Sequence, residues 1–302
     1  MKFEVEKIES FTGHADCVYN VVGGYREGQF FSSAGDGLLV EWNTKTPDIG
    51  KPLAKMKNSV YAIHRPANSS LLWLAENFEG LRLIDLEKKE QLASVALNKA
   101  AVFDIQSYAN QVFAAGGDGV ITVLDSEKMA FKTHIKASVK SVRSLAINPI
   151  EREFAAGYSD HMIRIFDLNT FELKKQIEGH VNSVFTLSYT PDFKFLISGS
   201  RDARLKIWEV EKGYQLADEV VAHMFTINHL AFNPSGDIFA TCSMDKSIKV
   251  WDAQNFKLLK VIDRARHAGH GTSVNRLHWL SDDQLISASD DRTLSLWSIK
   301  PI

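Results

Sequence analysis

Four times along the chain a His, a hydroxyl residue, an Asp and a Trp recur in the same order: His14, Ser32, Asp36, Trp42; His180, Ser198, Asp202, Trp208; His223, Thr241, Asp245, Trp251; and His270, Ser287, Asp291, Trp297. A hydroxyl, an imidazole and a carboxylate are the parts of a nucleophilic triad, in which the imidazole takes the hydroxyl proton and the carboxylate orients the imidazole. Repetition argues against that use, because an enzyme needs one activated site in a cleft whereas four copies point to fastening. In every copy the hydroxyl lies ten positions before the Trp and the Asp six before it. Where Leu74, Ala114 and Ala156 replace the hydroxyl, Ile84, Leu124 and Phe166 replace the Trp and the His is missing. Buried polar groups that satisfy one another account for this joint presence and absence. The Asp is more widespread, recurring as Asp118 and Asp160, with Phe78 the exception.

These residues hang on an internal repeat. The pattern Val/Ile-x-x-apolar begins at Val18, Val60, Val102, Val142, Val184, Ile227 and Val274, at spacings of 42, 42, 40, 42, 43 and 47. Within a unit the apolar runs have strand length and are bounded by turn residues, as in VFTL, TPDF, KFLISGS, RDA and RLKIW of the fifth unit. Four strands so short cannot bury their own apolar faces, and seven stacked units must close into a ring to remove open ends. The expectation is an all-β single domain over residues 1–302, built of seven repeats of about 42 residues.

Gly13-His14, Gly179-His180, Ala222-His223 and Gly269-His270 precede first strands, and Trp42-Asn43, Trp208-Glu209 and Trp251-Asp252 end third strands. In these dipeptides and their spacing the chain resembles the WD40-repeat family over almost its full length, most strongly in units one, five, six and seven. The resemblance implies a seven-bladed β-propeller of four-stranded antiparallel blades, a hydrogen-bonded tetrad in each complete blade, and a ring closed by the N-terminal strand in the last blade. Only five residues follow Trp297, too few for another outer strand. Lys2–Ile8 can supply it, since Phe3 and Val5 alternate with Lys2, Glu4 and Glu6.

Composition narrows the function. Hydrophobic residues at 45% and charged residues at 24% describe a soluble globular protein. The balance of 35 Lys+Arg against 37 Asp+Glu supplies no field for general nucleic-acid or membrane binding. The start MKFEVEKIES has no apolar h-region, so a soluble, cytoplasmic, monomeric propeller is expected. Cys17 and Cys242 fall in blades one and six, too far apart for a disulfide, and read as inert small core residues. No cofactor is expected: Gly23-Gly24 and Gly116-Gly117 read as loop glycines, and His267 beside His270 is too little for a metal.

The residue after each repeat marker lies near the channel entrance in propellers of this family. In order these are Tyr19, Tyr61, Phe103, Arg143, Phe185, Asn228 and Asn275, a composition resembling a recognition hot spot. Arg143 is expected to orient a carboxylate or a main-chain carbonyl of the partner. Among the residues before the turn Asp, which share that face, Arg201 and Met244 are expected to join Phe185 in one patch. Unit seven is longer by Arg264–Ala268, read as a solvated loop whose basic side chains could meet an acidic peptide or phosphate. The function expected is a non-catalytic scaffold for a protein or peptide. The alternatives are a structural subunit of a larger complex, or a propeller enzyme with a small-molecule site in the channel mouth.

Overall fold

In the computed structural model, which describes residues 3–97 and 99–302, the strand-length apolar runs become seven four-stranded sheets. Blade one shows the plan, with Val18–Gly23, Gln29–Ala34, Leu38–Asn43 and Lys51–Lys55 bonded antiparallel in that order. Burial peaks at the second strand, which is buried throughout, and falls from there to the outer strand, which is largely exposed. Inner strands have a neighbouring blade on each face, which is why their sequences read as continuous apolar runs.

The core therefore lies between blades. One cluster joins Phe11, Val18, Phe30 and Trp42 to Ile286, Ala288, Leu294 and Leu296 of the seventh blade. Glycine serves one such approach: a Cβ on Gly23 of blade one would collide with the ring of His278 from blade seven.

The N-terminal strand Phe3–Thr12 closes the ring by pairing antiparallel with Thr293–Pro301. It runs to Thr12, four residues beyond the expected end, with a register slip between Lys7 and Glu9. Lys2 lies outside the described residues. Phe3 packs in the seventh blade, whereas Phe11, fully buried, meets Phe30 at 4.9 Å and Trp42 at 5.7 Å. One strand thus anchors both sides of the seam.

An Asp at the end of a third strand turns the chain outward. Asp85 Oδ1 accepts the N–H groups of Glu87 and Lys88, and Asp125, Asp167 and Asp252 do the same for their own loops. The expected open loop of unit seven is instead a single helical turn, Arg264–His267, capped by the Asp263 carboxylate on the Arg266 N–H at 2.9 Å. Arg266 also donates side-chain bonds to Asp263, so that charge is already answered. Among the described residues no helix is long and apolar enough to cross a membrane.

Candidate partner-binding site at the channel mouth

Every first strand slips register at the residue after its repeat marker, between Val18 and Asn20, Val60 and Ala62, and equivalently through Val274 and Arg276. A bulge leaves the extra residue outside the ladder and re-aims its side chain. The seven extra residues converge on one cavity of about 450 Å³, lined by Tyr19, Tyr61, Phe103, Arg143, Phe185, Asn228 and Asn275. Since each blade contributes one, the cavity lies on the ring axis.

Five of them form a continuous row. Tyr19 meets Tyr61 edge-on at 4.6 Å, and Tyr61 stacks on Phe103 at 5.9 Å. Arg143 then lies between two rings, its guanidinium carbon 3.8 Å from the Phe103 centroid and 4.3 Å from that of Phe185. Burial lowers its pKa to about 10, leaving it cationic at neutral pH. The aromatic faces offset part of the lost hydration.

The two asparagines are differently employed. Asn228 Nδ2 donates to Ser273 Oγ at 2.9 Å and to Val274 O at 2.8 Å, and Asn275 Nδ2 donates to Val18 O at 2.9 Å and Asp290 Oδ1 at 2.7 Å. Their amide donors tie blade six to seven and seven to one, so they wall the cavity rather than await a partner.

Cys17, Arg276 and Asp290 also line it. Cys17 is thus partly exposed at the mouth instead of buried in the core, while Cys242 is buried, and both thiols are free. Burial and the Asp290 carboxylate raise the Cys17 thiol to about 11, which keeps it protonated and unreactive. Arg276 lies one step deeper and pairs with Asp104 at 3.4 Å.

Arg201 and Met244 do not line the cavity. They stand outside it, where Arg201 N bonds to Ser183 O and Met244 N to Thr226 O. Met244 belongs to an exposed apolar arc with Val139, Val181, Met224 and Phe225, of which Val181 is 84% and Met224 81% exposed. Single exposed apolar residues are ordinary, but four on the loops entering the first strands of three successive blades, with Met244 on the turn between the second and third strands of the last of them, make a patch.

The four tetrads are placed inside the blades. In blade five His180 Nδ1 lies 3.0 Å from Asp202 Oδ2, His180 Nε2 lies 2.8 Å from Ser198 Oγ, and Trp208 Nε1 donates to the same Oγ at 2.8 Å. Blades one, six and seven repeat this with His14, Ser32, Asp36 and Trp42; His223, Thr241, Asp245 and Trp251; and His270, Ser287, Asp291 and Trp297. In the tautomer whose Nδ1–H donates to the carboxylate, Nε2 accepts the hydroxyl proton. Burial lowers His14 and His223 despite their carboxylates. Desolvation opposes ionisation of Asp202, but the bonds from His180, Arg204 N and Val181 N outweigh it and hold the carboxyl at about 2. The hydroxyl is buried and capped by Trp, out of reach of a substrate.

Incomplete blades use other fasteners. In blade two Glu76 accepts from Lys57 N at 2.9 Å and from Arg82 Nε at 2.8 Å. In blade four Asp160 takes two bonds from Arg164 and one from Ser138 Oγ at 2.7 Å. Both arginines lie two positions before the Trp-equivalent, where an isolated charge in a strand reads as surface.

A cavity of about 520 Å³ opens at the other end of the first strands, around Gly23, Arg65 and His278. It is larger, but its innermost cation is occupied: Arg65 donates to the carbonyls of Gly23 and Ser69 at 2.6 and 2.9 Å.

The pattern of the WD domain, G-beta repeat, matches residues 127–167, 171–209, 215–252 and 261–298, more than half of the chain. These stretches take in repeats four to seven, so repeat four is matched without its His and Trp while repeat one, with a whole tetrad, falls outside them. The chain belongs to the WD40 repeat family, whose propellers are generally non-catalytic and generally bind proteins. In three dimensions it is similar to the crystal structure of the WD40 beta propeller domain of Doa1, with a TM-score of 0.86 and 17% sequence identity over 98% of this chain and 97% of that one. A search of curated proteins finds no match.

Proposed function

We propose that the protein is a non-catalytic scaffold that takes a protein or peptide partner on the channel-mouth face. The observation carrying this reading is the row from Tyr19 through Tyr61, Phe103 and Arg143 to Phe185 along one cavity. Rings that brace one another have already given up their side-chain freedom, so little entropy is lost when a partner covers them. The exposed arc through Val181, Met224, Phe225 and Met244 extends the same face. Asn228 and Asn275 frame the site, Arg201 and Met244 lie at its edge, and the tetrads hold the blades that present it. The reading includes one propeller domain over residues 1–302, monomeric by itself and acting in the cytoplasm.

Capture of partners from native extract tests it, with Phe103→Ala and Phe185→Ala beside the wild type and Lys89→Ala as control. Both rim variants are expected to keep their unfolding midpoints and lose the partner, about 2 kcal/mol or more of affinity for each hot-spot residue. Retention of every wild-type partner by both variants would sink the reading. A structural subunit is the second reading, favoured by the exposed arc, and predicts that Met224→Ser with Phe225→Ser releases a constant partner while the rim variants do not.

A further inference from the structure

Phe103 and Phe185 cover the two faces of the Arg143 guanidinium, and Arg143 donates no hydrogen bond to any described residue. Ring contacts engage only the π faces of that group. Its N–H donors lie in the plane, along the edge, in a fork that matches a carboxylate. The cavity's other cation is answered, since Arg276 faces Asp104 at 3.4 Å. Among the described residues Arg143 is therefore the cation lining the mouth that no carboxylate answers.

The cavity also has a negative pole. Among the described residues the Asp290 carboxylate accepts one hydrogen bond, from Asn275 Nδ2 at 2.7 Å, while the Cys17 thiol donates weakly to the Asp290 main-chain oxygen at 3.7 Å. A carboxylate offers about four lone-pair sites, so acceptor capacity remains. Arg143 belongs to blade four and Asp290 to blade seven, which places the two poles across the ring from each other.

We propose that the mouth recognises a segment of a partner protein carrying opposite charges a few residues apart, an Asp or Glu carboxylate on the edge of Arg143 and a Lys or Arg on Asp290. This rests on the partner-site reading above and names its chemistry. A carboxylate fits better than a phosphate: one clamped guanidinium supplies one charge, and a phosphate of about −1.5 to −2 would also face Asp290. A cavity of about 450 Å³ holds a few side chains and leaves flanking residues to the apolar arc.

The test is a titration with acetyl-Glu-Gly-Gly-Lys-amide, reading the Arg143 Nε–H resonance, assigned by its loss in Arg143→Lys. The peptide is expected to shift that resonance and to bind about tenfold or more tightly than the analogue with Gln for Glu. Arg143→Lys, which keeps the charge but not the fork, should weaken it by a similar factor. Asp290→Asn should remove the advantage of the Lys peptide over one ending in Gly. Equal binding of the Glu and Gln peptides, or no shift up to the solubility limit, overturns the proposal, and so does tighter binding of a phosphoserine peptide. If Phe103→Ala loses the natural partner while the Glu and Gln peptides bind alike, the partner site stands and the charge rule fails. If the peptides discriminate while Phe103→Ala keeps the partner, the cavity recognises this charge pair but the partner docks elsewhere, and the proposal fails for a protein segment.

Discussion

Arg276 on the first strand of blade seven reaches across the channel to Asp104 on the first strand of blade three, Nη2 to Oδ1 at 3.4 Å over a sequence separation of 172. Asp104 also accepts Leu145 N of blade four at 2.9 Å. It belongs to a set of polar residues two places after the repeat markers that bond to the next blade: Asn20 donates to Tyr61 O, Thr186 accepts from Leu230 N, and His229 accepts from Leu277 N. Tetrads fasten strands within blades, and this inner set fastens blade to blade.

Arg276→Met should destabilise the ring by about 3–5 kcal/mol, because it leaves the buried Asp104 carboxylate without its cation. Adding Asp104→Asn should recover part of the loss, as the unpaired charge is removed with it. Chemical denaturation of both variants checks this, and additive losses would show that the two residues act independently.

Removal of residues 1–8 should lower the unfolding midpoint of the whole ring rather than of one blade. It strips Phe3 from the seventh-blade core and exposes the upper part of Lys7–Phe3's partner strand as an edge. An unchanged midpoint in thermal unfolding would show that these residues are dispensable for closure.

Asp202→Ala and Trp208→Phe should each cost about 1–3 kcal/mol, since both break one buried network. Their combination should cost less than the sum, because the second change removes a bond from a network already broken. A double-mutant cycle gives the answer, with zero coupling energy as the contrary result.

Stability should fall as the pH drops from about 6.5 to about 4. Burial, then the neighbouring cations Arg65 and Arg276, lowers His64 and His278 to about 4. The unfolded values lie near 6.5, so between these limits the unfolded chain binds more protons and unfolding becomes easier on acidification, by up to about 1.4 kcal/mol per pH unit for each histidine. Below about 4 both states are protonated and this contribution is spent. Unfolding midpoints measured from about pH 7.5 to about pH 4 check the slope, and His64→Asn should reduce it.

Lys246→Gly should stabilise the protein by about 0.5–1 kcal/mol. The residue after the turn Asp has a positive φ, 77° and 82° at Gly37 and Gly119 but also 73° at Lys246, where a side chain is strained. Lys246 is exposed, so the change removes no packing. Equal or lower stability in denaturant would mean that Gly's greater unfolded-state entropy outweighs the relieved strain.

The sequence by itself determined the number of blades, because the repeat markers Val18, Val60, Val102, Val142, Val184, Ile227 and Val274, about 42 residues apart, count them directly. It also showed which residues act together, since a Trp, His and hydroxyl that vanish jointly must share one environment. Only the tertiary structure decided what happens where blades meet across the ring. Arg82 and Arg164 look like surface charges until Glu76 and Asp160 are folded against them. Arg276 has no visible partner until closure brings blade three opposite blade seven. Arg143 becomes a clamped cation only when bulges in three successive blades turn Phe103, Arg143 and Phe185 into one cavity. Periodicity is local and can be read along the chain, whereas these pairings depend on which side chains the strands bring face to face: across a hairpin for Arg82 and Arg164, between neighbouring blades for Arg143, and across the closed ring, over 172 residues, for Arg276 and Asp104.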